Sequence, residues 1–147
     1  MRLEKKHFAA YLPYGLICEV INWDAKISRY RTTISELHAV YSDGSCVFHD
    51  LVESEQGFQS VRPILRPLTD LTIEIEVNGE KFVPIDWLED KYYTLDLHKQ
   101  CLRLLEEDGE NWVNQSDYML IEYLMEWHFD VFGLITEGLA TDVNKLK

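Results

Sequence analysis

Three carboxylates near the C-terminal end have types and spacing that could support chemistry. Glu122, Glu126 and Asp130 recur at every fourth residue, which places them on one face of a helix. Such carboxylates exchange protons with a substrate or bind a hard cation. Metal-binding carboxylates on bundle helices usually come with a Glu-x-x-His spacing, which this segment lacks. We therefore predict a solvated acidic face, with a metal or catalytic role as the alternative.

His128 and Asp130 lie in the same stretch and raise the question of a shared site. Residues two apart on a helix point about 200° apart, so these two side chains would not meet at one proton or one metal. They form a site only if the helix ends at Trp127. We predict a continuous helix, with His128 turned inward as a structural histidine and Asp130 turned out to water.

Other chemical motifs are incomplete. Cys46 and His49 lie three residues apart, but a zinc site needs four ligands and no second pair follows. The acidic run Glu106 to Glu110 lacks the alternating ligands of a calcium loop. The chain contains no Gly-x-Ser-x-Gly, phosphate-binding loop or His-Glu-x-x-His. We predict no catalytic residue, cofactor or metal, although a site assembled from distant residues remains an alternative.

Aromatic and acidic residues concentrate together in the C-terminal half. The aromatic residues there are Tyr92, Tyr93, Trp112, Tyr118, Tyr123 and Trp127. Most should be core, but aromatic side chains also dominate protein interfaces. The residues that we predict to contact a protein partner are Glu106, Glu107, Asp108, Glu110, Trp112, Glu122 and Glu126.

The net charge excludes one class of partner. Residues 1–66 carry 8 basic and 8 acidic side chains, whereas residues 67–147 carry 6 and 18, so the whole balance of −12 lies in the second part. Nucleic-acid binding needs clustered Lys and Arg to displace counterions. We therefore expect no direct contact with DNA or RNA. The charge is that of a solubilising surface or of a surface that binds a basic protein.

Two amphipathic helices would position the acidic residues. Leu97, Cys101, Leu104 and Leu105 follow helical spacing, and Asp108-Gly109 would end that helix. The second helix has Ser116 as its predicted N-cap. Its apolar stripe consists of Leu120, Leu124, Trp127 and Val131. Gly133 and Gly138 then predict a loop that leads to a polar tail.

The N-terminal half has the pattern of β-structure. Asp43-Gly44 between two apolar runs predicts a hairpin, and residues 16–21 read as a strand or a buried loop. Pro63 and Pro67 predict an extended connector. Residues 68–84 fit either a hairpin around Asn78-Gly79 or a short helix, and we prefer the hairpin.

These elements predict one α+β domain over residues 1–147. N-terminal antiparallel hairpins in residues 1–66 would pack with a C-terminal pair of amphipathic helices in a mainly helical, acidic part, 67–147. Three widely spaced cysteines suit reduced thiols in the cytoplasm. No apolar run approaches the roughly 20 residues of a membrane span, and no secretory signal is apparent.

Four stretches carry a resemblance to other proteins. They are YLPYGL (Tyr11 to Leu16), RPILRPLTDLT (Arg62 to Thr72), NGEKFVPID (Asn78 to Asp86) and WHFDVFGLITEGLATDVN (Trp127 to Asn144). In these the chain resembles small proteins encoded in phage and prophage regions of gut-type bacteria, a group without an assigned activity, cofactor or catalytic residue. The resemblance implies expression from a mobile element inside a bacterial host, and it transfers no functional residue.

Three functional hypotheses follow from the sequence. The first is a phage or prophage accessory protein that acts by binding a host or phage protein, without catalysis. The second is an acidic mimic of nucleic acid that inhibits a host defence or DNA-processing enzyme, with Glu106, Glu107, Asp108, Glu110, Glu122 and Glu126 in place of phosphates. The third is a metal-assisted enzyme built on Glu122, Glu126 and His128.

Overall fold

The computed structural model describes residues 2–51, 58–92, 97–105 and 117–146. Over these residues the chain forms a five-stranded sheet, a two-stranded sheet and four α-helices, which confirms the predicted mixed α+β class. The chain divides into two compact units. The first comprises residues 1–65 and 134–147, and the second comprises residues 66–133. The single domain over residues 1–147 stays a prediction.

The first unit contains the five-stranded sheet. Its elements are α1 (Lys5–Ala9), a 3₁₀ helix (Leu12–Tyr14), β1 (Ile17–Asp24), β2 (Arg29–Val40), β3 (Cys46–Phe48), β4 (Phe58–Leu65), β7 (Thr141–Asp142) and a second 3₁₀ helix (Val143–Leu146). The strand order is β3-β2-β1-β4-β7, with antiparallel pairing throughout except between β4 and β7. The turn at Asp43 and Gly44 connects β2 to β3, and Gly44 adopts a φ of 88° there.

Strand β4 corrects the prediction of an extended connector at Pro63. Pro63 lies opposite Cys18 of β1. The amide of Leu37 in β2 donates to the carbonyl of Leu16 at 2.8 Å. Counting from Leu16 along β1, every second residue directs its backbone N–H and C=O groups at β2, and Cys18 is one of these residues. The pair Cys18 and Pro63 is therefore a non-hydrogen-bonded position. The missing N–H of proline costs nothing on that side, and β4 forms a strand.

The predicted polar tail is also different in the structure. Thr141 and Asp142 form β7, which pairs in parallel with Ile64 and Leu65 at the end of β4. The loop before it is closed by the amide of Leu139, which donates to the carbonyl of Leu134 at 2.8 Å. A parallel pairing between segments so distant in sequence has no local signal, since side-chain pattern and turns report on near neighbours.

The second unit contains the two-stranded sheet and three helices. Its elements are a 3₁₀ helix (Leu68–Thr72), β5 (Ile75–Val77), β6 (Glu80–Phe82), α2 (Pro84–Lys91), α3 (Leu97–Leu104) and α4 (Tyr118–Glu126). Asn78 and Gly79 have φ values of 52° and 82°, the left-handed pair of a tight hairpin turn. The preferred hairpin is thus present, and the helical alternative holds only for Leu68–Thr72. Helix α2 was not predicted, although Pro84 occupies the first helical turn, where proline is favoured.

Apolar side chains at helical spacing bury the faces of α3 and α4. Leu97, Cys101 and Leu104 are at most 2% exposed, as their predicted spacing requires. Leu120 and Leu124 are fully buried in α4. Among the residues that the structure describes, no helix has both the length and the apolar character needed to cross a bilayer.

Candidate functional site

Helix α4 ends before His128, which corrects the prediction of a continuous helix. Trp127 is the C-cap, and His128 has a φ of 60°. The His128 amide donates to the Met125 carbonyl at 3.0 Å, and the Phe129 amide donates to the Leu124 carbonyl at 2.8 Å. This pair of bonds is the Schellman arrangement that closes many helices, here with histidine at the position that glycine usually occupies.

The early end of α4 overturns the predicted orientation of Asp130 but leaves His128 partly buried, as predicted. Asp130 is only 5% exposed, whereas His128 is half-buried. The amide of Asp130 donates to the carbonyl of Arg66 at 2.8 Å, and the amide of Arg66 donates to the carbonyl of His128 at 2.8 Å. The prediction that Asp130 continues the solvated acidic face was therefore wrong, because its backbone pairs with another segment and draws it inward.

Two of the predicted partner-contacting residues can be located. Glu122 and Glu126 lie one turn apart on α4, and both are exposed. Glu106, Glu107, Asp108, Glu110 and Trp112, together with the predicted N-cap Ser116 and the aromatic Tyr93, lie outside the described residues; the residue that precedes α4 as its N-cap is Asp117. Among the described residues, no three His, Cys, Asp or Glu side chains are grouped closely enough to hold a metal ion.

An aromatic cluster lies beside these carboxylates in the second unit. Its members are Phe82, Trp87, Tyr92, Tyr123 and Trp127. The ring centroid of Trp87 is 5.1 Å from that of Tyr123 and 5.2 Å from that of Trp127, in edge-to-face contacts. Trp127 is nearly buried, and the other four rings are half-buried. Each such ring pair contributes about 0.5–1.5 kcal/mol beyond its buried area.

Helical spacing brings these rings together. Tyr123 and Trp127 lie four residues apart at the end of α4, so their side chains stack along one stripe with centroids 5.2 Å apart. Trp87 lies in α2, and Tyr92 is the C-cap residue that follows α2. Sequence reasoning named Tyr92, Tyr123 and Trp127 but missed Phe82 and Trp87. The missed signal was helix α2, which brings Trp87 to the same face.

The two tyrosine hydroxyl groups of the cluster bond to each other. The oxygens of Tyr92 and Tyr123 are 2.6 Å apart. Burial raises the pKa of Tyr123 to about 12, and the hydrogen bond with Tyr92 and the charges of Glu126 and Glu122 act in the same direction. The charges of both glutamates therefore reach the Tyr123 hydroxyl. The structure thus combines an aromatic face with two exposed carboxylates.

Arg66 ties the end of α4 to the two-stranded sheet. Its Nε donates to the Trp127 carbonyl at 3.0 Å, and its Nη2 donates to the Glu76 carbonyl at 2.9 Å. Burial lowers the pKa of Arg66, and the charge of Asp70 opposes this shift. Because the planar guanidinium donates to both carbonyls at once, Arg66 connects the backbone at Trp127 to strand β5.

The three cysteines lie in the protein interior. Cys18, Cys46 and Cys101 are all buried and free, and burial raises the pKa of all three thiols, that of Cys46 to about 11 and that of Cys101 to about 12. His49 is exposed and its ring contacts that of His38 with centroids 4.5 Å apart. A protonated, buried thiol is a poor nucleophile and a poor metal ligand.

A cleft of about 440 Å³ lies in the first unit. Its polar lining includes Asp24, which accepts hydrogen bonds from the Lys26 amide at 3.0 Å and from Arg31 at 3.3 Å. The lining also includes Asn22, whose Oδ1 is buried and has no hydrogen-bond partner among the described residues. Asp24 is thus already bonded, whereas Lys26 and Arg31 are exposed.

Charge separates sharply between the two units. Residues 66–133 carry 5 basic and 16 acidic side chains, a balance of −11, whereas residues 1–65 and 134–147 carry 9 and 10, a balance of −1. The aromatic cluster and the carboxylates Glu122 and Glu126 lie in the acidic unit. A charge of this density raises the local concentration of cations and speeds association with basic partners.

Comparison with protein-family models, with curated proteins and with solved structures gives no match to the chain. The arguments for function therefore rest on the geometry and the charge of the second unit.

Proposed function

We propose that this chain is a phage or prophage accessory protein that acts in the cytoplasm of a bacterial host by binding a basic protein, without catalysis. In this proposal the aromatic cluster of the second unit supplies the apolar contact, and Glu122 and Glu126 supply the charge. The N-terminal hairpins and the two C-terminal helices would serve as the scaffold.

The observation that carries the proposal is the aromatic cluster beside the two exposed glutamates. Trp87, Tyr92 and Tyr123 keep part of their rings accessible, although a core position would bury them. Tryptophan and tyrosine are enriched among the residues that dominate binding energy. They contribute a large contact area at a small entropic cost, because each has only two side-chain torsions.

The charge of the second unit selects the class of partner. A unit with a formal charge of −11 repels acidic proteins and nucleic acids, and it attracts segments rich in Lys or Arg. Such attraction speeds the encounter, whereas the aromatic contact slows dissociation. The combination predicts binding that salt weakens but does not abolish.

Partner capture from host lysate with matched variants tests the proposal. Trp87→Leu removes a half-buried indole of the cluster, and Trp23→Leu removes a half-buried indole of the first unit as its control. We expect Trp87→Leu to weaken binding of the captured partner at least about ten-fold, and Trp23→Leu to leave it unchanged. Circular dichroism and thermal melting establish that each variant folds. Equal capture by the two folded variants would contradict the proposal.

The acidic mimic of nucleic acid is the second candidate, and the charge separation between the units favours it. In that case carboxylates alone would bind the partner, and capture should fall steeply between about 0.05 M and about 0.5 M salt, whatever the state of the aromatic rings. The double variant Glu122→Gln, Glu126→Gln should then reduce capture more than Trp87→Leu does. Capture of the same partner equally well at both salt concentrations would remove this candidate.

A further inference from the structure

Lys91 lies over the aromatic cluster in an unusual position for a lysine of an acidic unit. Its Nζ is 4.6 Å from the ring centroid of Trp87 and 5.9 Å from that of Tyr92. Both distances are within the roughly 6 Å over which a cation is attracted to a ring face. Within the described ranges no carboxylate lies within 4.0 Å of this ammonium. The contacts described for the Lys91 ammonium are therefore those with the rings.

The rings beneath Lys91 differ in orientation, so their negative faces are inclined to one another. The ring plane of Trp87 is inclined by 63° to that of Tyr92 and by 67° to that of Tyr123, and the two tyrosine ring planes are inclined by 47° to each other. Rings inclined to each other in this way occur in sites that bind alkylammonium groups, because more than one negative ring face points at the same charge.

Carboxylates complete the chemistry of this face. The charges of Glu122 and Glu126 act on the Tyr123 hydroxyl, and both side chains are exposed. They attract cations from solution and remain hydrated, so they add attraction without the cost of burying a charge. An aromatic face with carboxylates at its margin favours a cation over a neutral or an anionic group.

We propose that the rings of Trp87, Tyr92 and Tyr123 form an ammonium site, which Lys91 occupies in the free protein and which a lysine side chain of the partner takes by displacing Lys91. This inference rests on the proposed function, since it names the group that the aromatic cluster recognises. Lys91 is exposed, so its displacement costs only the weak contacts of its ammonium with the Trp87 and Tyr92 rings. Its removal should therefore raise the affinity for a lysine-containing probe.

Binding of a fluorescein-labelled, lysine-rich peptide to the full chain tests the ammonium site. Lys91→Met removes the ammonium but keeps an unbranched side chain. Lys81→Met removes the same charge from an exposed position of β6 in the same unit. We expect Lys91→Met to bind the peptide about two- to five-fold more tightly than Lys81→Met, the range that corresponds to an exposed cation–ring contact. Equal or weaker binding by Lys91→Met would overturn the inference.

A small probe separates the ammonium site from the proposed function. Choline and its neutral carbon isostere have the same shape, and chemical shifts of the indole N–H groups report which of them binds. We expect choline to shift the Trp87 signal and the isostere to leave it in place. Equal shifts with both, or tighter binding of an arginine peptide of equal length than of the lysine peptide, would overturn the ammonium site. Unchanged partner capture by folded Trp87→Leu would instead contradict the proposed function.

Discussion

Replacing His128 by glycine and by alanine tests how helix α4 ends. His128 has a φ of 60°, a left-handed conformation that costs an L-residue about 1–2 kcal/mol. Glycine avoids this cost but loses more chain entropy on folding, about 0.5–1 kcal/mol. Both variants remove the same imidazole, so their difference isolates the backbone. We expect His128→Gly to be more stable than His128→Ala by about 0.5–1 kcal/mol, or about 2 °C in Tm.

Urea unfolding followed by circular dichroism and tryptophan fluorescence measures this difference, provided that both variants have the same dependence on urea. The same two substitutions at Glu122, in the exposed middle of α4, serve as the control. There alanine should be the more stable by about 1 kcal/mol, as in any helix interior. A preference for alanine at His128 as well would mean that the helix continues through it, and would refute the Schellman ending.

Three further predictions concern other side chains. Arg66→Lys should destabilise the protein by about 2 kcal/mol in urea, because lysine cannot bridge the Trp127 and Glu76 carbonyls; an equal loss with Arg62→Lys, at an exposed position, would contradict this. Burial holds the pKa of Cys46 at about 11 in the folded protein, whereas the thiol of the unfolded chain has its ordinary pKa of 9.0. Because the unfolded chain loses this proton first, the free energy of unfolding should fall as the pH rises from about 9 to about 11. Cys46→Ala should remove this contribution to the pH dependence. Tyr92→Phe should lower the pKa of Tyr123 from about 12, because the hydrogen bond between the two hydroxyl groups raises that pKa. Alkaline titration of the phenolate absorbance measures the pKa, and the Tyr123→Phe variant identifies the part of the absorbance that belongs to Tyr123.

Local features of the fold were predictable because their causes lie within a few residues. The turns at Asp43-Gly44 and Asn78-Gly79 need left-handed residues, and the sequence supplies glycine at both. The buried face of α3 follows from the helical spacing of Leu97, Cys101 and Leu104. In each case side-chain type and spacing act on the backbone directly.

The end of α4 was not predictable from the same kind of signal. No glycine stands at position 128, and apolar residues continue at helical spacing as far as Val131. The helix ends because Phe129 and Asp130 pair with Arg66, which lies more than 60 residues earlier in the chain. A tertiary contact thus outweighs the local preference, and it carries Asp130 from the predicted acidic face into the interior.

The candidate site was only partly predictable for a similar reason. Aromatic and acidic residues were expected to share a surface, and Glu122 and Glu126 do lie beside Tyr123. Trp87 and Lys91 could be added only after α2 was known to lie against the same rings. Their spacing of four residues is a signal for one helix face, but nothing in the sequence assigns that face to the rings of α4.

The excess of acidic side chains in the second unit bears on the stability of that unit. Of its 5 basic side chains, Arg66 donates to two backbone carbonyls and interacts with the charge of Asp70, and Lys91 lies over aromatic rings. The unit carries 16 acidic against 5 basic side chains, and self-repulsion among like charges destabilises a compact state. A basic segment bound at the aromatic cluster would relieve it. Binding and the stability of the second unit should therefore rise together, and added salt should stabilise the unit while it weakens the binding.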